Sequence, residues 1–192
     1  MRITGGVARG IGLSSLKNRA LRPASDKIRE GLFSSLGDII KNKRCLDLYA
    51  GTGSYGLEAL SRGASYCCFI ESNRPTFERI KVNYEKVSKS AGLTKNSAQF
   101  FHVDALRFLK RSQDRFDIIF IDPPYNLIEI IGKELLENSV EKLNKNGWII
   151  FEMPTKVNLK ISKTLCLLKK ISGNKKDSPS IAIYNKNSDS VE

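Results

Sequence analysis

The feature that most limits what this chain can become is a strand, a glycine turn and a helix in direct succession. Lys43-Arg44-Cys45-Leu46-Asp47-Leu48-Tyr49 is an apolar run of strand length that breaks into Ala50-Gly51-Thr52-Gly53-Ser54-Tyr55-Gly56. A helix is expected from about Tyr55. Gly51, Gly53 and Gly56 satisfy G-x-G-x-x-G, and about twenty residues on Glu71 ends a second apolar run, Tyr66 to Ile70. In an α/β sheet this pattern seats a cofactor over the turn, with the acid accepting ribose hydroxyls. It serves nicotinamide or flavin dinucleotides and S-adenosylmethionine alike. Asp47 weighs on the choice, because a carboxylate beside the turn repels a pyrophosphate. S-adenosylmethionine carries an ammonium and a sulfonium and no phosphate. The plainer reading of the glycines is a tight turn with close helix–sheet packing.

A second strand end carries the chemistry. Phe116-Asp117-Ile118-Ile119-Phe120-Ile121 is rich in β-formers and stops at Asp122-Pro123-Pro124-Tyr125. Two prolines cannot continue a ladder, so one carboxylate, one rigid carbonyl and one ring are left at a strand's carboxyl end. Open α/β sheets bind their ligands there. A nucleobase amine is a poor nucleophile because its lone pair is delocalised. Acceptors on its two N–H groups favour a pyramidal nitrogen, and Asp122 and the Pro123 carbonyl can be those acceptors. Pro124 helps to fix that corner, Tyr125 can stack on the base, and Asp122 can take the released proton. The plainer reading is a strand closed by a Pro-Pro turn with Asp122 solvated.

The remaining elements follow from periodicity. Arg2-Ile3-Thr4-Gly5-Gly6-Val7-Ala8-Arg9-Gly10 opens a small hairpin expected over residues 1–16. A helix capped by Ser25 or Asp26 runs to about Leu36, with Ile28, Leu32, Phe33 and Leu36 on one face. A helix is expected from Arg74 to Lys89 and a loop from Ala91 to Asn96. A strand follows from Ala98 to Val103, ending at Asp104-Ala105, then a helix to Lys110. Asp104 can accept from an adenine amine or simply cap that helix. A helix spans about Ile128 to Leu143, and Asn146-Gly147 turns into the strand Trp148 to Glu152. Leu165–Ile171 and Ser180–Tyr184 read as an antiparallel pair at the sheet edge. His102, the only histidine, reads as a strand residue.

The 192 residues suggest one α/β domain, residues 21–186, with an N-terminal extension over 1–20 and a frayed tail, 187–192. No apolar run reaches the ~20 residues of a membrane span, and no secretory h-region opens the chain. The four cysteines are expected to be buried free thiols, and a metal site is not expected. A cytoplasmic protein follows from these readings. The net charge of +12 lies at the ends. Residues 1–30 hold seven Lys/Arg and two Asp/Glu, residues 156–192 eight and three, and the middle is nearly neutral. A basic excess so placed fits nucleic acid. Arg2, Arg9, Lys17, Arg19 and Arg22 are the candidate phosphate contacts.

The order and spacing of Asp47-to-Gly56, Glu71, Asp104 and Asp122-to-Tyr125 resemble the class I S-adenosylmethionine-dependent methyltransferases. That resemblance implies a Rossmann-like, mostly parallel seven-stranded sheet with helices on both faces. Arg2-to-Gly6, Arg22-to-Glu30 and Leu57-to-Ala64 look like the RsmD family of bacterial 16S rRNA guanine-N2 methyltransferases, and the likeness covers nearly the whole chain. It implies methyl transfer to a guanine 966-type site in 16S rRNA within the assembled or assembling small subunit. It places Asp47 at the methionine end of the cofactor, Tyr49, Gly51 and Gly53 under it, Glu71 at the ribose, and Asp104-Ala105 at the adenine. The family often carries a Tyr-Gly after a basic pair near its last strand. Here Lys169-Lys170 is followed by Ile171-Ser172-Gly173. Competing expectations are a DNA adenine-N6 methyltransferase, a protein glutamine methyltransferase, and a non-catalytic rRNA-binding assembly factor.

Overall fold

Apolar runs too short for helices alternate with amphipathic segments, a pattern that buries a parallel sheet between two helical layers. A computed structural model of the chain, describing residues 1–15, 23–159, 163–172 and 179–186, shows that architecture. The strands are β1 (Arg44–Leu48), β2 (Tyr66–Glu71), β3 (Ala98–His102), β4 (Phe116–Ile121), β5 (Leu143–Pro154), β6 (Leu165–Ser172) and β7 (Pro179–Lys186). Their spatial order is β3-β2-β1-β4-β5-β7-β6. β1 to β5 pair in parallel, while β7 is antiparallel to both β5 and β6. The order reverses at β1, so the crevice a ligand would use opens above β1 and β4.

The helices are α1 (Pro23–Leu36), α2 (Ser54–Ser61), α3 (Arg74–Ala91), α4 (Ala105–Arg111) and α5 (Tyr125–Glu141). Leu32 and Phe33 of α1, Leu57 of α2 and Ile80 of α3 share one buried core with Ile118, Phe120 and Ile150. On the other face Phe108 of α4 and Leu135 of α5 pack on Ile119, Ile121 and Phe151. Neighbouring strand residues thus feed opposite cores, as pleating requires. Among the described residues, no helix is long and apolar enough to cross a membrane.

Several expected details change. α1 begins at Pro23 rather than after a Ser25 or Asp26 cap, since proline's fixed φ suits the first helical position. Asn146-Gly147 is not a free turn. Phe116 pairs with Leu143 and Ile118 with Trp148, so the intervening residues bulge from a longer β5, with Asn146 at φ 60°. Lys95–Ser97 forms a 3-10 turn inside the expected loop. Three cysteines are buried, but Cys166 is exposed because β6 is the outermost strand.

The N-terminal segment is a hairpin-like loop, joined by a bridge between Arg2 and Gly12 and by the Ile3 N–H to the Ile11 carbonyl at 3.0 Å. Ile3, Ala8 and Leu13 are buried in the same core as α1 and α2. It is therefore a packed edge of the sheet domain rather than an arm standing off it.

Candidate active site

The chain reverses through left-handed backbone at Tyr49 (φ 57°), Gly51 (φ 60°) and Gly53 (φ 80°). For Tyr49 this is a strained conformation of the kind that gathers at functional sites. The Gly51 N–H donates to Glu71 Oε2 at 3.0 Å and the Asn73 N–H to Oε1 at 2.8 Å, so the carboxylate lies fixed along the turn. A Cβ on Gly56 would sit 2.4 Å from the Phe69 ring and 2.5 Å from the Cys67 sulfur. The third glycine lets α2 lie hard against β2.

Asp47 lies near the end of β1, just before the glycine turn. It is 1% exposed, beneath the loop, and its Oδ2 accepts from the Gly56 N–H at 2.9 Å. It shapes the turn from beneath, out of open contact with the crevice. Burial pushes its pKa up to about 8, the Gly56 N–H works against that shift, and the Glu71 charge adds to it.

At the other end of the turn, Asp104 is exposed and caps α4, accepting from the Arg107 N–H at 3.0 Å, while Ala105 behind it is buried. The Tyr49 hydroxyl is buried and has no hydrogen-bond partner. Burial, then the charges of Asp104 and Glu71, push its pKa up to about 12. An orphaned hydroxyl facing two carboxylates fits a nucleoside laid across the strand ends, which brings both donors and acceptors. His102, at the end of β3, is exposed and bonds the Ser72 carbonyl through Nε2 at 2.9 Å.

β4 delivers Asp122 next to this turn. The Asp122 N–H reaches the Leu48 carbonyl at 3.5 Å, the last link of the ladder between β4 and β1. Pro123 is buried, Pro124 is exposed, and α5 starts at Tyr125, three residues earlier than its apolar spacing suggested. Tyr125 is thus held on a 17-residue helix rather than on a loop. With Asn126, Glu129, Pro154, Lys156 and Val157 it lines a cleft of roughly 300 Å³.

Three participants were not singled out from the sequence. Glu152, near the end of β5, takes a very short hydrogen bond from the Tyr55 hydroxyl on Oε2 and a long one, 3.5 Å, from Tyr125 on Oε1. Tyr55, in the first turn of α2, stacks on Phe120 with ring centroids 5.5 Å apart. Burial and the charges of Glu152 and Asp122 hold its pKa well above the tyrosine range. Asn83 of α3 is fully buried, donating to the carbonyls of Thr52 and Ser14 and accepting from the Ser14 N–H, so it ties the glycine turn to the N-terminal segment. The signal for Glu152 was its position at the end of a strand run. Tyr55 and Asn83 carried none.

Of the expected cationic contacts, Arg2 and Arg9 are exposed on the N-terminal loop, while Lys17, Arg19 and Arg22 lie outside the described residues. That loop is latched by Glu58, which is fully buried on α2. Glu58 accepts from the Thr4 N–H (2.8 Å) and hydroxyl (2.7 Å) and pairs with Arg62 (2.9 Å) and buried Arg29 (3.5 Å).

A glycine turn with an acid bonded along it, beside a strand that ends in Asp-Pro-Pro-Tyr, on this seven-stranded order, defines a class I methyltransferase fold. The solved structure described as "Putative methyltransferase yhhF from Escherichia coli" superposes with a TM-score of 0.82 at 27% identity, covering 98% of each chain. The family model described as "Conserved hypothetical protein 95" matches residues 1–184, and the chain belongs to that family, the RsmD family. "Ribosomal RNA small subunit methyltransferase D" of Buchnera aphidicola (Acyrthosiphon pisum) is 37% identical over 153 residues, 78% of this chain and 76% of that one. The Escherichia coli K12 protein of the same name is 36% identical over 152 residues, 79% and 71%.

Proposed function

We propose that this chain transfers a methyl group from S-adenosylmethionine to the exocyclic N2 of a guanine in 16S ribosomal RNA, acting on the small subunit in the cytoplasm. The observation that carries the reading is the join of Asp122 to Leu48, which sets an amine-holding corner one strand from the cofactor turn.

Glu71 would hold the ribose, Tyr49 and Asp104 the adenosine end, and Asp47 the cationic end from beneath the loop. When bound, the cofactor supplies a methyl group on a positively charged sulfur. The base must leave its stack to reach the corner, at a cost of a few kcal/mol. Asp122 and the Pro123 carbonyl accept the two amine N–H groups, freeing the nitrogen lone pair from the ring. Orientation of this kind is worth up to ~7–11 kcal/mol. Tyr125 stacks on the base, and Asp122 holds the proton released as the new N–C bond forms. Arg2 and Arg9 meet RNA phosphates beside the site.

The test is tritiated methyl transfer to small subunits, and to naked 16S rRNA, from cells lacking guanine-N2 methylation. Label recovered as N2-methylguanosine at one position is the expected result. No label in either RNA would overturn the substrate, and label on N6 of adenine would overturn the base.

A further inference from the structure

Side chains from three elements hold the glycine turn, and one of them leads away from the crevice. Glu71 bonds the turn at Gly51 and Asp47 bonds it at Gly56. Asn83, fully buried near the middle of α3, bonds it at Thr52, its Nδ2 donating to the Thr52 carbonyl at 2.9 Å. The same nitrogen donates to the Ser14 carbonyl at 3.0 Å, and Oδ1 accepts from the Ser14 N–H at 2.8 Å. Both amide hydrogens and the oxygen are used, and two carbonyls against one N–H fix which way the amide faces. A second link runs beside it, the Thr52 hydroxyl donating to the Met1 sulfur at 3.3 Å. Met1 and Ser14 are neighbours there, because the Leu13 N–H donates to the Met1 carbonyl at 3.0 Å.

Asn83 acts on the peptide joining Thr52 to Gly53. The N–H of that peptide donates to the Ala50 carbonyl at 2.7 Å while its carbonyl faces Asn83, so the plane is pinned on both sides. Gly53 lies at φ 80°, one of many conformations open to glycine, so the residue does not choose it unaided. We infer that Asn83 is the positioning residue of the cofactor turn, and that it makes the N-terminal segment, residues 1–14, part of the cofactor site. This rests on the reading of the turn as the seat of S-adenosylmethionine. The competent turn is bonded to Asn83 and through it to Ser14, and in the open turn both bonds are released. A cofactor that binds only the bonded form must, by linkage, tighten the hold on Ser14 as well.

Amide hydrogen exchange on the wild-type chain reads this link directly. S-adenosylhomocysteine at about 100 times its Kd should slow exchange of the Ser14 N–H by roughly tenfold or more. The Val7 N–H, bonded to the Ser61 carbonyl at 2.8 Å at the far end of the loop, should change by about twofold at most. Asn83→Leu loses all three bonds, and Asn83→Asp keeps only the acceptor for Ser14. In both, the competent turn should fall to about a tenth of the molecules, so S-adenosylmethionine affinity by calorimetry weakens roughly tenfold. KM for S-adenosylmethionine should rise alike with kcat at saturation little changed, because bound cofactor restores the turn. Leu136→Ala, a destabilising cavity in the opposite core, should leave affinity within about twofold of wild type. An unchanged Ser14 amide, wild-type affinity in both Asn83 variants, or an equal loss in Leu136→Ala would overturn the role of Asn83 and leave the cofactor reading standing. A wild-type chain that binds neither S-adenosylmethionine nor S-adenosylhomocysteine would overturn both.

Discussion

Two carboxylates attached to α2 are equally buried and treated in opposite ways. Glu58, at the end of the helix near the N-terminal loop, takes two donors from Thr4 and two guanidinium contacts. Asp47, under the other end, takes one backbone N–H at 2.9 Å, and its pKa rises to about 8. Around Asp47 most of the charges felt by the two tyrosines are acidic, with Arg29 opposing them at Tyr55. Glu71 and Asp104 raise Tyr49, and Glu152 and Asp122 raise Tyr55. At Glu58 compensation is complete within the chain, and the result is a latch. At Asp47 a single backbone N–H leaves burial dominant, and the carboxyl is held in its protonated range to higher pH. The difference separates an acid compensated by cations from one held by a single backbone N–H.

The largest effect expected lies on the site side. Asp122→Ala should lower methyl transfer to small subunits by about 10³-fold, the scale of removing one transition-state contact. S-adenosylmethionine affinity by calorimetry should stay within a fewfold of wild type, because the residue faces the amine. Near-normal turnover would remove Asp122 from the chemistry and blur the contrast with Glu58.

On the latch side, Glu58→Ala takes the shared acceptor from two guanidiniums, leaving buried Arg29 with Asp26 alone at 3.0 Å and Arg62 partly exposed. Breaking a buried pair in this way costs roughly 3–5 kcal/mol. Thermal and urea unfolding should show that loss, while kcat per folded molecule at low temperature falls far less than in Asp122→Ala. A stability change under about 1 kcal/mol would mean that water replaces Glu58 easily and that the latch is superficial.

The punctuation of the chain made much of this legible. Glycine and proline act locally, so Gly51, Gly53 and the Asp122 corner could be placed on strand ends before any pairing was known. The row of strands followed from the alternation of short apolar runs with helical spacing. What stayed hidden depends on register between distant segments. Tyr55 and Glu152 are 97 residues apart and meet only because β4 and β5 align Ile121 with Phe151. Asn146-Gly147 has turn chemistry, yet β4 pairs across it and turns it into a bulge. Cys166 sits in an apolar run that resembles a core strand. Leu167 and Leu168 beside it are 51% and 53% exposed, because nothing in one strand says that it will lie outermost. The depth of Asp47 was hidden for the same reason. Its closeness to the turn was readable, but its capture by the Gly56 N–H needs α2 seated on β2.

The smallest effect, and the sharpest test of the comparison, is the pH behaviour of Asp47. With a native pKa raised from 3.8 to about 8, the folded chain holds a proton that the unfolded chain has released between those limits. Stability therefore falls as pH rises through that window and levels off above it. Asp47→Asn keeps the size of the side chain, is unable to ionise, and removes that slope. Relative to wild type it should become progressively more stable from about pH 4 to pH 8 in urea unfolding. Cofactor binding should show the opposite face of the same group. A cation over the turn favours the ionised carboxylate, so at pH 7 binding should release a proton, visible by calorimetry in buffers of different ionisation enthalpy. Affinity should then tighten as pH rises toward 8. Across an effective dielectric of 20, unit charges ~7 Å apart are worth about 2 kcal/mol. Asp47→Asn should accordingly weaken binding by roughly thirtyfold above pH 8 and flatten its pH dependence. A wild-type profile as flat as that of the variant would show that the Gly56 N–H already satisfies Asp47, making it a second latch like Glu58.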